Sequence, residues 1–110
     1  MNMISLKNLE EAERLISENP MALLYLSRPD CGVCTAIRPK VEGLLKEYPR
    51  ISAGYVDLDQ IPEAAGRFSV YTIPAILVYA EGKETVREAR YISLDDLETR
   101  IARPYGFLFS

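Results

Sequence analysis

Two cysteines, Cys31 and Cys34, stand where an uncharged run ends and a helical pattern begins. The run Met21-Ala22-Leu23-Leu24-Tyr25-Leu26 carries no charge and reads as a strand buried on both faces. After it, apolar side chains recur at Cys34, Ile37, Val41, Leu44, Leu45 and Tyr48, the spacing of one helix face. The pair therefore sits at a strand-to-helix junction. The first turn of a helix has backbone N–H groups without intrahelical partners, and its dipole favours negative charge. A thiolate at Cys31 is stabilised there, which lowers its pKa and raises the nucleophilic fraction at neutral pH. Cys34 lies one turn further in on the same face, within reach of Cys31 for a disulfide. That placement predicts an exposed, attacking Cys31 and a buried, resolving Cys34.

Composition narrows the classes. A chain of 110 residues is expected to form one domain with a core large enough to stand without metal or disulfide staples. With 48% hydrophobic and 26% charged residues it reads as soluble and globular. Thirteen basic residues are scattered against sixteen acidic ones, for a net charge of −3, which argues against a nucleic-acid partner. No apolar run is long enough to span a bilayer, and the first residues do not read as an export signal. A closely spaced dithiol without such a signal points to a reducing, cytoplasmic setting. Zinc normally takes four nitrogen or sulfur ligands and the chain has no His, so a metal or iron–sulfur cluster would have to bridge two subunits. No cofactor is expected.

In order, residues 1–4 are expected to add a short edge strand, and Ser5 to cap a helix carrying Leu6, Leu9, Ala12 and Ile16 on one face. Asn19-Pro20 stops it. The helix after the cysteines runs to about Tyr48, with Pro39 inside it removing one backbone bond, and Pro49 ends it. Residues 53–58 read as a strand and 59–68 as a short helix with Pro62 near its start. A third apolar strand spans 75–80. Glu81-Gly82 then turns the chain into a polar, alternating strand over 84–91, expected at an antiparallel edge. Ser93 opens the last helix, with Leu94, Leu97 and Ile101 as its buried stripe. The tail from Pro104 to Phe109 is apolar for a chain end, and either packs back or meets another chain; a monomer is expected, with this tail as the place for a weak dimer. Helices between the early strands imply parallel crossovers, and the late hairpin makes the sheet mixed: an α/β fold with helices on both faces.

Over nearly its whole length the chain resembles the thioredoxin family. The resemblance is carried by Cys31-Gly32-Val33-Cys34 after a buried strand, Pro39 in the following helix and Tyr55-Val56-Asp57-Leu58-Asp59, together with Thr72-Ile73-Pro74 before the third strand and Gly82 in the hairpin. It implies a thiol–disulfide oxidoreductase that reduces protein disulfides and is re-reduced by a separate reductase. It also implies that Pro74 is cis and lies against the cysteines. Gly32, Val33, Thr72 and Ile73 would then bind substrate beside Pro74, with the backbone of Ile73 pairing with an extended substrate segment. The rival reading is a redox-inactive binding module that keeps the fold.

Departures from the family pattern concentrate around the site. The chain has no Trp, and Asp30 and Ser27 stand where the family carries two. Val33 replaces a usual proline, Tyr25 a buried carboxylate, Tyr55 its lysine neighbour, and Arg90 a glycine of the substrate groove. From the residues alone, Asp30 reads first as a helix N-cap, and Tyr25 and Tyr55 as partly buried aromatics with bonded hydroxyls. Arg28 reads either as a solvated loop residue or as a cation favouring the Cys31 thiolate.

Overall fold

The computed structural model describes residues 3–110. In chain order the elements are β1 (Ile4–Ser5), α1 (Leu9–Glu18), β2 (Met21–Ser27), α2 (Gly32–Leu45), β3 (Ser52–Asp57), α3 (Glu63–Arg67), β4 (Ala75–Ala80), β5 (Lys83–Ala89) and α4 (Leu94–Phe109). The sheet order is β1-β3-β2-β4-β5. β1 and β2 pair parallel with β3, whereas β4 runs antiparallel to both β2 and β5. This is the mixed sheet and α/β class expected from the crossovers and the late hairpin.

Every residue of β2 is buried, because the strand lies mid-sheet with helices on either side. Its alternation sends side chains to two separate cores. Met21, Leu23 and Tyr25 join Val41, Leu45, Ile76, Leu97 and Ile101 beneath α2 and α4. Leu24 and Leu26 join Ala12, Ile16, Val56, Ile61 and Leu77 beneath α1 and α3. Each fully buried aliphatic contributes about 1.5–3 kcal/mol relative to exposure, so the two layers together hold the sheet that presents the cysteines.

Several local expectations need correction. Ser5 lies in β1 and caps nothing; Asn8 is the cap of α1, accepting from the Glu11 N–H at 2.8 Å, while the Glu11 carboxylate accepts from Lys7 N–H at 2.8 Å. The edge strand comprises Ile4 and Ser5; Met1 and Asn2 lie outside the described residues. α2 ends at Leu45, and single turns carry the chain on to Tyr48. Residues 59–61 form a turn bonded to the Asp57 carbonyl, so α3 begins only after Pro62. β5 stops at Ala89 because Arg90 takes φ +72° and leaves the strand. Ser93 does cap the last helix, its hydroxyl accepting from Asp96 N–H at 3.2 Å.

The apolar tail is the end of α4, which runs through Pro104 to Phe109. Tyr105, Leu108 and Phe109 pack onto the core, with the Tyr105 ring 5.0 Å from that of Tyr48. Phe107 alone of the large tail side chains points outward, at 78% exposed.

Candidate active site

β2 ends in Ser27, and the loop Arg28-Pro29-Asp30 delivers Cys31 to the start of α2. The turn is closed by Cys31 N–H donating to the Arg28 carbonyl at 3.1 Å. The cap of α2 is Cys31 itself, not Asp30: its Sγ accepts from Cys34 N–H at 3.1 Å. Asp30 is exposed and makes no capping bond. A sulfur in the capping position meets an otherwise orphaned N–H and the positive end of the helix dipole, which favours its anionic form.

Cys31 and Cys34 are joined as a disulfide with Cα atoms 5.2 Å apart, inside the range such a bond requires. Their environments differ. Cys31 is half-buried, with Gly32 and Val33 exposed beside it, whereas Cys34 is 2% exposed. Burial of Cys34 follows from its place on the face of α2 that meets the sheet.

Below Cys34, Tyr25 is completely buried and its hydroxyl donates to the Cys34 carbonyl at 2.5 Å. Burial pushes its pKa up to about 12, and the Arg38 cation only partly offsets this. Tyr55 lies in register with Tyr25 on β3, its ring centre 6.2 Å from that of Tyr25, and its hydroxyl accepts from Ser27 Oγ at 3.2 Å. The Arg38 guanidinium sits over the Tyr55 ring at 4.5 Å. Both tyrosines are thus buried or half-buried aromatics with bonded hydroxyls. Asp57 is 9% exposed and spends Oδ1 on Asp59 N–H at 2.8 Å.

The Thr72-Ile73-Pro74 segment leads into β4, beside β2 in the sheet. The Ile73–Pro74 bond is cis and Pro74 is buried. Arg90 N–H donates to the Pro74 carbonyl at 2.7 Å, fixing the end of β5 against it. A groove of ≈ 430 Å³ beside this segment is walled by Thr72, Ile73, Arg28 and Arg90. Arg28 also meets Asp59 at 3.1 Å, so its charge is shared with the turn after β3.

Sequence reasoning missed Arg87. Its guanidinium donates to the carbonyls of Phe68 and Ser69 at 2.8 and 3.0 Å and is paired with Glu84 at 2.8 Å. It thereby holds the loop that leads to Ile73, in which Ser69 takes φ +55°.

The Cys31–Cys34 pair stands at the N-terminus of α2, and the cis Ile73–Pro74 bond immediately precedes β4, the strand paired with β2. The thioredoxin family profile matches residues 3–103. The chain belongs to the thioredoxin family. It is 38% identical over 103 residues to the thioredoxin-like protein YdfQ of Bacillus subtilis, covering 94% of this chain and 92% of that one. A thioredoxin of Chlamydia trachomatis is 33% identical over 73 residues, 66% of this chain and 72% of that one. Among solved structures, the thioredoxin of Fasciola hepatica superposes with a TM-score of 0.81 at 33% identity, over 91% of this chain and 98% of that one. The thioredoxin fold and the Cys-x-x-Cys pair make this protein a dithiol–disulfide oxidoreductase acting on protein disulfides. Among the described residues no helix is long and apolar enough to cross a membrane.

Proposed function

We propose that Cys31 is the attacking thiol and Cys34 the resolving one in the reduction of protein disulfides. The Cys31 thiolate attacks one sulfur of a substrate disulfide; the S–S bond breaks and the other substrate sulfur leaves as a thiolate that takes up a proton. Deprotonated Cys34 then attacks Cys31 in the mixed disulfide and expels the second substrate sulfur. Two electrons pass to the substrate, and the Cys31–Cys34 disulfide is left for a separate reductase to reopen. The reading rests on one observation: the sulfur of half-buried Cys31 occupies the helix cap and accepts the Cys34 N–H, while Cys34 itself is buried.

The substrate runs extended past Thr72, Ile73 and Pro74, pairing with the backbone of Ile73, while Gly32 and Val33 contact it from the cysteine side. Support comes from the exposure of Gly32, Val33 and Thr72 and from the partial exposure of Ile73. The reaction suits a reducing compartment, where a separate reductase returns the pair to the dithiol. A mutually bonded cysteine pair favours this enzyme over a redox-inactive binding module.

The test is thiol labelling of the reduced protein. Iodoacetamide is expected to modify Cys31 first, with an apparent pKa below that of a free thiol. Faster modification of Cys34 would reverse the roles.

A further inference from the structure

The groove beside Ile73 carries two guanidinium groups and no carboxylate among its lining residues, in a chain of net charge −3. Arg28 gives its Nε to Asp59, whereas Arg90 forms none of the ion pairs among the described residues and rests over the Tyr91 ring at 5.1 Å. Its own amide on Pro74 places Arg90 directly beside the docking segment. We propose that this protein prefers disulfide substrates with an acidic side chain next to the reacting cysteine, held by Arg90 with Arg28 behind it. The proposal takes the path of the substrate from the strand-docking reading above. Attraction between opposite charges on a partly covered surface speeds encounter and weakens as salt rises.

The probes are three disulfide-bonded peptides differing only in a Glu, Gln or Lys beside the cysteine, each reduced in a single turnover by the pre-reduced protein. At low salt the Glu peptide should react roughly two- to tenfold faster than the Lys peptide, with Gln between, and the three should converge in high salt. Arg90→Glu should invert the ranking, and Arg90→Gln should flatten it. Equal rates for the three peptides with the unaltered protein, or a ranking untouched in folded Arg90→Glu, would overturn the preference. A matching peptide N-methylated where it would pair with Ile73 separates the two ideas: a charge ranking that survives without any N-methyl penalty supports the acidic preference and removes strand docking.

A different cavity carries a second inference. A space of ≈ 420 Å³ opens against Cys34 and is lined by Arg28, Arg38, Glu42 and Tyr55 among others. Before it attacks, the Cys34 thiol must lose a proton in surroundings that oppose charge. Tyr25 does not take it: its neutral hydroxyl is committed as a donor to the Cys34 carbonyl. The charged and titratable groups that line the cavity with Cys34 or bond to it are Arg38 and Glu42 on α2, Arg28 in the loop before it, Tyr55 on β3 and Tyr25 on β2, with Asp57 closing β3 two residues after Tyr55. Arg28 and Asp59 meet each other, and Asp57 is bonded to a backbone amide. Arg38 is four residues from Cys34, about one helical turn, whereas its partner Glu42, 3.4 Å from it, is about two turns away. Both charges line the cavity against Cys34, and of the two Arg38 acts the more strongly on Tyr25, whose hydroxyl is bonded to the Cys34 carbonyl.

We infer that Arg38 favours the Cys34 thiolate through its field, and that the proton leaves to solvent through the cavity instead of passing to a carboxylate. This rests on Cys34 being the resolving thiol. The direct test follows ultraviolet thiolate absorbance against pH in a Cys31→Ser protein, where Cys34 is the single thiol. Arg38→Gln should raise the midpoint by roughly half a unit to one unit, ~3- to 10-fold in thiolate fraction. Arg38→Lys should restore most of it, and Glu42→Gln should lower it. With both cysteines present, Arg38→Gln should slow release of the mixed disulfide several-fold. An unmoved midpoint in folded Arg38→Gln, or slower release in Glu42→Gln, as a proton-accepting Glu42 would give, overturns the inference. A moved midpoint with unchanged release supports the field effect and removes instead the resolving role of Cys34.

Discussion

The Tyr25 hydroxyl donates to the carbonyl of Cys34 at 2.5 Å from a position with no solvent exposure. The central strand is thereby tied to the first turn of α2, at the residue that must stay close to Cys31. Tyr25→Phe removes the bond and keeps the ring, so it should cost about 0.5–1.5 kcal/mol near neutral pH.

The same residue predicts an alkaline signature. Its folded pKa is raised to about 12 by burial, against an ordinary value of 10.0. A raised pKa stabilises the fold fully below the unfolded value and loses that contribution as pH rises through the folded one. Between pH ~10 and ~12 the stability of the unaltered protein should therefore fall by roughly 2–3 kcal/mol more than that of Tyr25→Phe. Denaturant titrations of the two proteins across that range measure the difference. Parallel pH profiles would contradict it.

Arg87 holds the loop before Ile73 by two carbonyl bonds and an ion pair. Arg87→Met should raise KM for a protein disulfide several-fold with little change in kcat, and should destabilise the fold by about 1–3 kcal/mol, chiefly through the lost carbonyl bonds. The Glu84 carboxyl is held below its usual range by its hydrogen bond from Arg87. Its small contribution is present above the ordinary carboxylate pKa and fades as pH falls through the folded one, so Arg87→Met should be slightly less acid-sensitive. Steady-state kinetics and acid titration check both parts.

Helix caps provide a contrast within one protein. Asn8→Ala should cost about 1 kcal/mol, because it orphans the Glu11 amide. Asp30→Ala should stay within ±0.5 kcal/mol, since Asp30 is exposed and Cys31 does the capping. Thermal unfolding of the pair settles which residue matters to its helix.

The sheet was legible in the sequence wherever one pattern dominated: an uncharged run of six residues, too short for a buried helix and preceded by Asn19-Pro20, reads as a central strand, and its alternation divides the two cores. Caps were less legible. Ser5 and Asn8 both precede the apolar stripe of α1, and only the Asn8–Glu11 spacing, with Glu at the position that reaches back, distinguishes them. The end of α4 was obscured by Pro104 and Gly106, which disfavour helix; packing of Tyr105 and Phe109, with Arg50 over the Phe109 ring at 4.5 Å, outweighs that preference. The cysteines and Ile73-Pro74 could be named because they are short local motifs. Arg87 and Arg38 could not, since their roles depend on partners brought near by the sheet: Phe68 and Ser69 for one, Tyr55 for the other.

The division of labour between the cysteines is tested most directly by trapping. Reduced Cys34→Ser and Cys31→Ser proteins are each mixed with a disulfide-bonded peptide, and covalent adducts are measured by mass. Cys34→Ser is expected to accumulate a mixed disulfide through Cys31 that is released by added dithiol, while Cys31→Ser forms little or none. Equal adducts on both variants, or adducts on Cys31→Ser alone, would contradict the two-step scheme.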